Sequence, residues 1–290
     1  MKNLFAIFRR IRPMDTITVA YLLWVIVAII LGKNKPSTWG WCVALNISAI
    51  VLILVAALNR DRLSRSLRIV YDWYPIWGIG IVFEMLHGYI QILTDRWYDP
   101  VFLAADVKLF STIPSAFFER FYSKPLNELV MLGYFSYYFL PYMIAVPLYR
   151  RTDKRAFYQT AAGIFLSFLP CLVLFLIFPA QSPRLYYAQF RNVPLEGYII
   201  TAIEHRLVSF GGLCGGAFPS SHCAVAVAVL LQAWRHHRKM FYLFLFFVPL
   251  LSLATVYGWY HYAVDVFAGW LIGVIAVIII RYLYPCNNTR

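Results

Sequence analysis

Two histidine motifs near the end of the chain carry the residue types that chemistry needs. The first reads Gly216-Ala217-Phe218-Pro219-Ser220-Ser221-His222 and the second Tyr257-Gly258-Trp259-Tyr260-His261-Tyr262-Ala263-Val264-Asp265. Each lies at the edge of a long apolar run, and one apolar run separates them. His261 and Asp265 are four residues apart, so on a helix they share a face. A carboxylate there can accept a proton from one imidazole nitrogen, fix the tautomer and leave the other nitrogen free to attack. Asp265 falls about a turn into an apolar helix, where a carboxylate is expensive and marks function by default; a buried structural pair is the competing account. Pro219 suits a helix start, where its missing N–H would be an orphan anyway. Free N–H groups, the positive helix end and the Ser220 and Ser221 hydroxyls then form an anion site, although a plain helix cap explains the same residues. Arg184, in Phe178-Pro179-Ala180-Gln181-Ser182-Pro183-Arg184, adds a guanidinium fork suited to phosphate oxygens, or else anchors the chain at an interface. The chemistry these residues suit is chemistry on a phosphate at a membrane surface. No third ligand recurs at a recognisable spacing, so neither a metal nor another cofactor is expected.

The elements that must position these residues are transmembrane helices. Of 290 residues, 61% are hydrophobic and 13% charged, and the mean hydropathy is +0.66; a soluble domain would carry about a quarter charged residues. The reading is all-α: one polytopic integral membrane domain over residues 1–290, with residues 1–149 holding the N-terminal spans and an outer loop, and residues 150–290 the catalytic core. Eight apolar runs are visible, at about Thr16–Leu31, Trp39–Leu58, Ile76–Leu93, Leu129–Tyr149, Thr160–Phe178, Phe218–Trp234, Phe241–Tyr257 and Tyr262–Leu283, each about long enough to cross a bilayer. The first is read as a retained span rather than a cleaved signal. The loop from Thr94 to Glu128 mixes aromatic and charged residues, which predicts short interfacial helices.

The net charge of +13 has no basic soluble domain to carry it, which argues against nucleic acid; it marks loops instead. Alternate loops and the two termini hold seventeen Lys and Arg against nine in the remaining loops. The denser set faces the cytoplasm, so both termini are expected there. In a bacterium the membrane would be the inner one. The 179–217 segment, the Pro219–His222 motif and the His261 turn then meet on the extracytoplasmic side. Five cysteines show no C-x-x-C spacing; Cys214 and Cys223 could pair in an oxidising compartment. The sequon Asn287-Asn288-Thr289 falls on the cytoplasmic side and reads as a chance match. Glu84 and His87, three apart in the weakest span, either line the head-group pocket or satisfy each other.

The pattern Pro-Ser-x-His, one span, then His-x-x-x-Asp resembles the type 2 phosphatidic acid phosphatase superfamily. The resemblance covers about Pro179–Trp270. It implies that His261 is a nucleophile forming a phosphohistidine and that Asp265 orients it. His222 would protonate the leaving oxygen and then activate the acceptor, while Ser220 and Arg184 hold phosphate oxygens. Phosphatase members carry Lys-x6-Arg-Pro, whereas here Ile177 stands seven before Arg184 and Leu185 follows it. They also carry Ser-Arg where this chain has Ala254-Thr255. Phe218-Pro219-Ser220-Ser221-His222, Thr255 and His261-Tyr262-x-x-Asp265 are more similar to inositol phosphorylceramide synthases, with sphingomyelin synthase features around His261-Tyr262. That branch implies a phospholipid head-group phosphotransferase of sphingolipid type, with a phospholipid donor and an alcohol acceptor. With fewer cations for the charge that spreads in phosphoryl transfer, a singly charged diester suits the site better than a monoester. The rival within the superfamily is a lipid phosphate phosphatase using water. The rival outside it is a transporter with Glu84 and His87 in an ion path, for which paired discontinuous helices are not evident.

Overall fold

The computed structural model describes residues 11–284. Lys2, Arg9, Arg10, Cys286, the sequon at Asn287 and Arg290 lie outside them. The chain runs through α1 (Pro13–Leu31), α2 (Trp39–Leu58), α3 (Arg65–Leu86), α4 (Asp99–Phe110), α5 (Pro114–Phe118), α6 (Lys124–Phe135), α7 (Leu140–Tyr149), α8 (Arg155–Ile177), α9 (Pro183–Tyr186), α10 (Ile199–Gly211), α11 (Ser221–His236), α12 (Arg238–Tyr257) and α13 (Ala263–Leu283). The described residues contain no strand.

By length and composition α1, α2, α8, α12 and α13 can each cross a membrane, and two bent pairs raise the number to seven. Those pairs join α4 to α5, extended to Phe121, at 57°, and α6, extended to Tyr138, to α7 at 42°. The expected eight differ at α3 and α11, which are not among these seven, and at α4 with α5, which they left in a loop. α3 starts eleven residues before the apolar run and takes in Arg65, Arg68 and Asp72 along with Glu84. α11 has 16 residues and rises about 24 Å, short of a hydrocarbon core about 30 Å thick. Residues 94–128 contain α4 and α5, of 12 and 5 residues.

The hub is α8. Its apolar window is 72% buried, against 11% for α2, whose Trp41, Leu45, Val51, Leu52 and Val55 point outward. An apolar helix exposed this way is stable only against lipid; the protein is an integral membrane protein. α8, α11 and α13 pack on one another most extensively around Phe165, Phe168, Cys171, Phe175, Ala224, Val225 and Ala276. Close approach of α11 and α13 needs glycine. A Cβ on Gly269 would collide with the Ser220 carbonyl, and one on Gly273 would lie 2.5 Å from the Ala224 carbonyl. Small residues four apart allow backbones this near in membranes.

A charged cluster ties the start of α8 to α1 and α3. Asp72 accepts from Arg12 at 3.4 Å, Arg60 at 3.3 Å, Tyr149 at 3.2 Å and Tyr158 at 2.9 Å. Asp15 accepts from Arg12 at 3.0 Å, Tyr71 at 2.6 Å and Tyr74 at 3.0 Å. Buried carboxylates with every partner supplied are tolerated, which explains how α3 keeps Asp72 inside the bundle. The other end of α8 leads toward Arg184.

Candidate active site

Local sequence sets the two histidine motifs at helix starts. Ser220 caps α11, its Oγ accepting from the Cys223 amide at 3.4 Å, so His222 enters the first turn. Its Nε2 lies 3.2 Å from the Tyr134 hydroxyl, and its ring packs 4.3 Å from that of Tyr137. α12 stops at Gly258, and the Thr255 carbonyl accepts from the amides of both Tyr260 and His261 at 3.0 Å. This turn brings the His261 and His222 rings to 5.7 Å between centroids.

The orientation of His261 differs from the expected one in its main partner. Its Nδ1 donates to the Ala217 carbonyl at 2.7 Å, while Asp265 Oδ2 is 3.5 Å away. That same Oδ2 accepts the Tyr262 amide at 2.8 Å. A carbonyl can only accept, so Nδ1 carries the proton and Nε2 keeps its lone pair. Asp265 stands beside the ring and caps α13. Burial holds the His261 imidazolium down to about 4, so the ring is neutral at physiological pH.

Arg184 lies in the short helix α9, within a connecting loop bound to both motifs. Ala180 donates to the Gly215 carbonyl at 3.3 Å and accepts from the Ala217 amide at 3.1 Å. The Arg184 amide donates to the Trp259 carbonyl at 2.9 Å, and the guanidinium stands 5.5 Å from the Tyr260 ring centroid. Ser182 and Trp259 adopt left-handed backbone, with φ of 95° and 61°. For residues other than glycine this costs about 1–3 kcal/mol each and needs surrounding structure to hold it.

Much of that structure comes from two aspartates on α4. Asp99 accepts the amides of Gln181 at 2.9 Å and Ser182 at 3.2 Å, and the Tyr262 hydroxyl at 2.8 Å. It therefore clamps the Arg184 loop to the His261 turn. Asp106 accepts the Ala263 and Val264 amides at 2.8 and 2.9 Å, satisfying orphan donors at the start of α13. Neither was singled out in sequence, although their seven-residue spacing puts two carboxylates on one face of an otherwise apolar helix. Tyr134 gave no signal among so many tyrosines.

These groups open on one cavity of about 540 Å³. Its polar lining includes His222, His261, Ser221 and Arg184, and Arg184 is the one Lys or Arg lining it among the described residues. The rest is largely apolar and aromatic, with Trp77 and Phe83 from α3, Tyr142 from α7 and Leu207 from α10. Of the two serines, Ser221 lines the cavity and Ser220 is buried as the α11 cap. Glu84 reaches the cavity wall with its side chain 65% exposed, and His87 does not line it. The two sit 3.6 Å apart, nearer to a mutual pair than to a head-group clamp. Thr255, which stands where the family's arginine was expected, is buried, its hydroxyl donating to the Ser252 carbonyl at 2.8 Å. Cys214 is exposed and Cys223 buried, and both are free thiols. No group of three or more His, Cys, Asp or Glu among the described residues could hold a metal ion.

The fold and site define a helical membrane protein with a two-histidine centre on a largely apolar cavity. A family model described as the PAP2 superfamily matches residues 101–279, and the chain belongs to that superfamily. It is similar to a PA-phosphatase related-family protein of Dictyostelium discoideum, 26% identical over 175 residues, covering 52% of this chain and 31% of that protein. The chain thus spans about a third of that relative's length. No solved structure matches it.

Proposed function

We propose that the protein is a phospholipid phosphotransferase that moves a phosphate-containing head group from a lipid donor to an alcohol through a phosphohistidine at His261. The observation that carries this reading is the free Nε2 of His261, fixed by the Ala217 carbonyl, beside His222 on a largely apolar slot. His261 Nε2 attacks phosphorus and the bond from phosphorus to the lipid oxygen breaks, with His222 giving that oxygen its proton. The acceptor hydroxyl then loses its proton to His222 and attacks phosphorus, releasing His261. Arg184 and the Ser221 hydroxyl stabilise the equatorial oxygens. A single lining guanidinium supports a diester donor of one negative charge. The surplus of Lys and Arg in alternate loops supports an extracytoplasmic site with both termini cytoplasmic, and α4 and α5 as elements at the outer surface. The resemblance to inositol phosphorylceramide synthases supports head-group transfer.

Purified protein with a labelled phospholipid and candidate alcohols tests the reading. A new labelled lipid is expected, and His261→Ala should lower its rate by about 10⁴-fold or more. Release of phosphate or phosphorylated head group alone, with no new lipid, refutes transfer and favours the hydrolytic reading, which the name of the Dictyostelium relative supports. Lipid turnover that survives His261→Ala refutes both.

A further inference from the structure

Glu204 is the anomaly of α10. Along this helix the apolar Ile203, Leu207 and Phe210 are exposed, Phe210 at 90%, while Glu204 is fully buried. Neither carboxyl oxygen has a hydrogen-bond partner. Leaving such a group unsatisfied is costly, so a helix with this polarity inverted is hard to explain by packing. Its direction follows from spacing. Leu207, Val208 and Gly211 line the cavity, and they stand three, four and seven residues after Glu204, which is one helix face. Glu204 lies on the same helix face, about one turn before the residues that wall the cavity, and is buried behind its lining.

Its surroundings are phenolic. Glu204 is within electrostatic reach of Tyr134, Tyr138 and Tyr260, all of which line the cavity. Arg184 also acts on Tyr134 and Tyr260, so the guanidinium and the carboxyl share two tyrosine neighbours. The helix is pinned, too. Glu128 accepts from the amides of Tyr198 at 2.7 Å, Ile200 at 2.5 Å and Thr201 at 3.2 Å, and from the Thr201 hydroxyl at 2.7 Å. Glu204 is therefore held inward by its helix and not by a partner of its own.

We propose that Glu204 reads the substrate head group, its carboxyl accepting hydrogen bonds from a donor-bearing group, hydroxyls or a primary ammonium, attached to the phosphate held at His261 and Arg184. The inference rests on the phosphate-transfer reading. Burial raises Glu204 to about 7, so near neutral pH the carboxyl is shared between acid and carboxylate, and a bound donor supplies the partner it lacks.

The test compares three phospholipids of identical acyl chains with glycerol, ethanolamine or choline head groups. Binding to the detergent-purified protein is measured alongside turnover, for wild type, Glu204→Gln and Glu204→Leu. Choline offers no donor. Wild type should bind the glycerol or the ethanolamine lipid at least about tenfold more tightly than the choline lipid, the worth of one buried hydrogen bond. Preference for glycerol identifies hydroxyls as the source, and preference for ethanolamine an ammonium. Glu204→Leu should erase the preference while melting no lower than wild type, since it removes an unpartnered buried carboxyl. Glu204→Gln should keep part of a hydroxyl preference and lose an ammonium preference. Equal affinity for all three lipids in wild type, or an unchanged preference in Glu204→Leu, overturns the proposal. A Glu204-dependent binding preference with no lipid turnover upholds the head-group site and overturns the phosphate-transfer reading instead.

Discussion

At the scale of residues, the site depends on which atom holds a proton. His261 presents a free Nε2 because its Nδ1 is committed to the Ala217 carbonyl at 2.7 Å, with Asp265 farther off at 3.5 Å. Asp265→Asn should therefore keep the tautomer and reduce kcat about 10–100-fold. Where a carboxylate is itself the orienting acceptor, the loss is about 10⁴-fold, and a drop of that size here would make Asp265 the orienting group. Acid should also act through His261. Burial lowers it from its ordinary 6.5 to about 4, so its contribution to stability is whole above 6.5 and is lost as pH falls through about 4. The melting temperature of purified protein should drop across that window, and the drop should shrink in His261→Phe. An unchanged slope in that variant assigns the acid sensitivity to other groups.

At the scale of elements, the site is a set of helix starts locked by side chains from elsewhere. α11 begins at a serine cap, and α13 begins under Asp106, which takes its first two amides. Asp106→Ala leaves both amides without acceptors and should cost about 1–2 kcal/mol. Thermal unfolding in detergent measures it, and a change below a few tenths would show that water or Asp265 replaces the cap. Gly269 lets α11 and α13 touch at the Ser220 carbonyl, which fixes the His222 turn against the Asp265 turn. The loop carrying Arg184 is held at the same junction, through Ala180 on one side and Asp99 on the other.

At the scale of the whole molecule, one end of α8 is a closed charged cluster and the other leads to an open slot. Asp15 and Asp72 at the first end have their partners in place, whereas the slot has polar groups lining a cavity of about 540 Å³. The proposed orientation puts the slot outside. Asn192→Cys should then react with a membrane-impermeant maleimide on intact cells, in a Cys214→Ser background, and Lys154→Cys should react only after permeabilisation. The reverse pattern inverts the molecule and moves the chemistry to the cytoplasmic face.

Sequence alone determined what local rules control. A run of apolar residues must become a helix in lipid, because no water is there to satisfy its backbone. The four-residue spacing put Asp265 near His261, although His261 sits in the turn before α13 and not on the helix, and Pro219 with Ser220 marked a helix start. The tertiary structure decided which atoms meet. The acceptor for His261 is a backbone carbonyl, and carbonyls have no signature in a sequence. Asp99 and Asp106 act on residues more than eighty and more than one hundred and fifty positions away, a distance that no periodicity spans. α3 and α11 departed from the expected spans for the same reason: paired charges and close helix contacts, decided by neighbours, let a segment lie in the bundle without being long or apolar enough on its own.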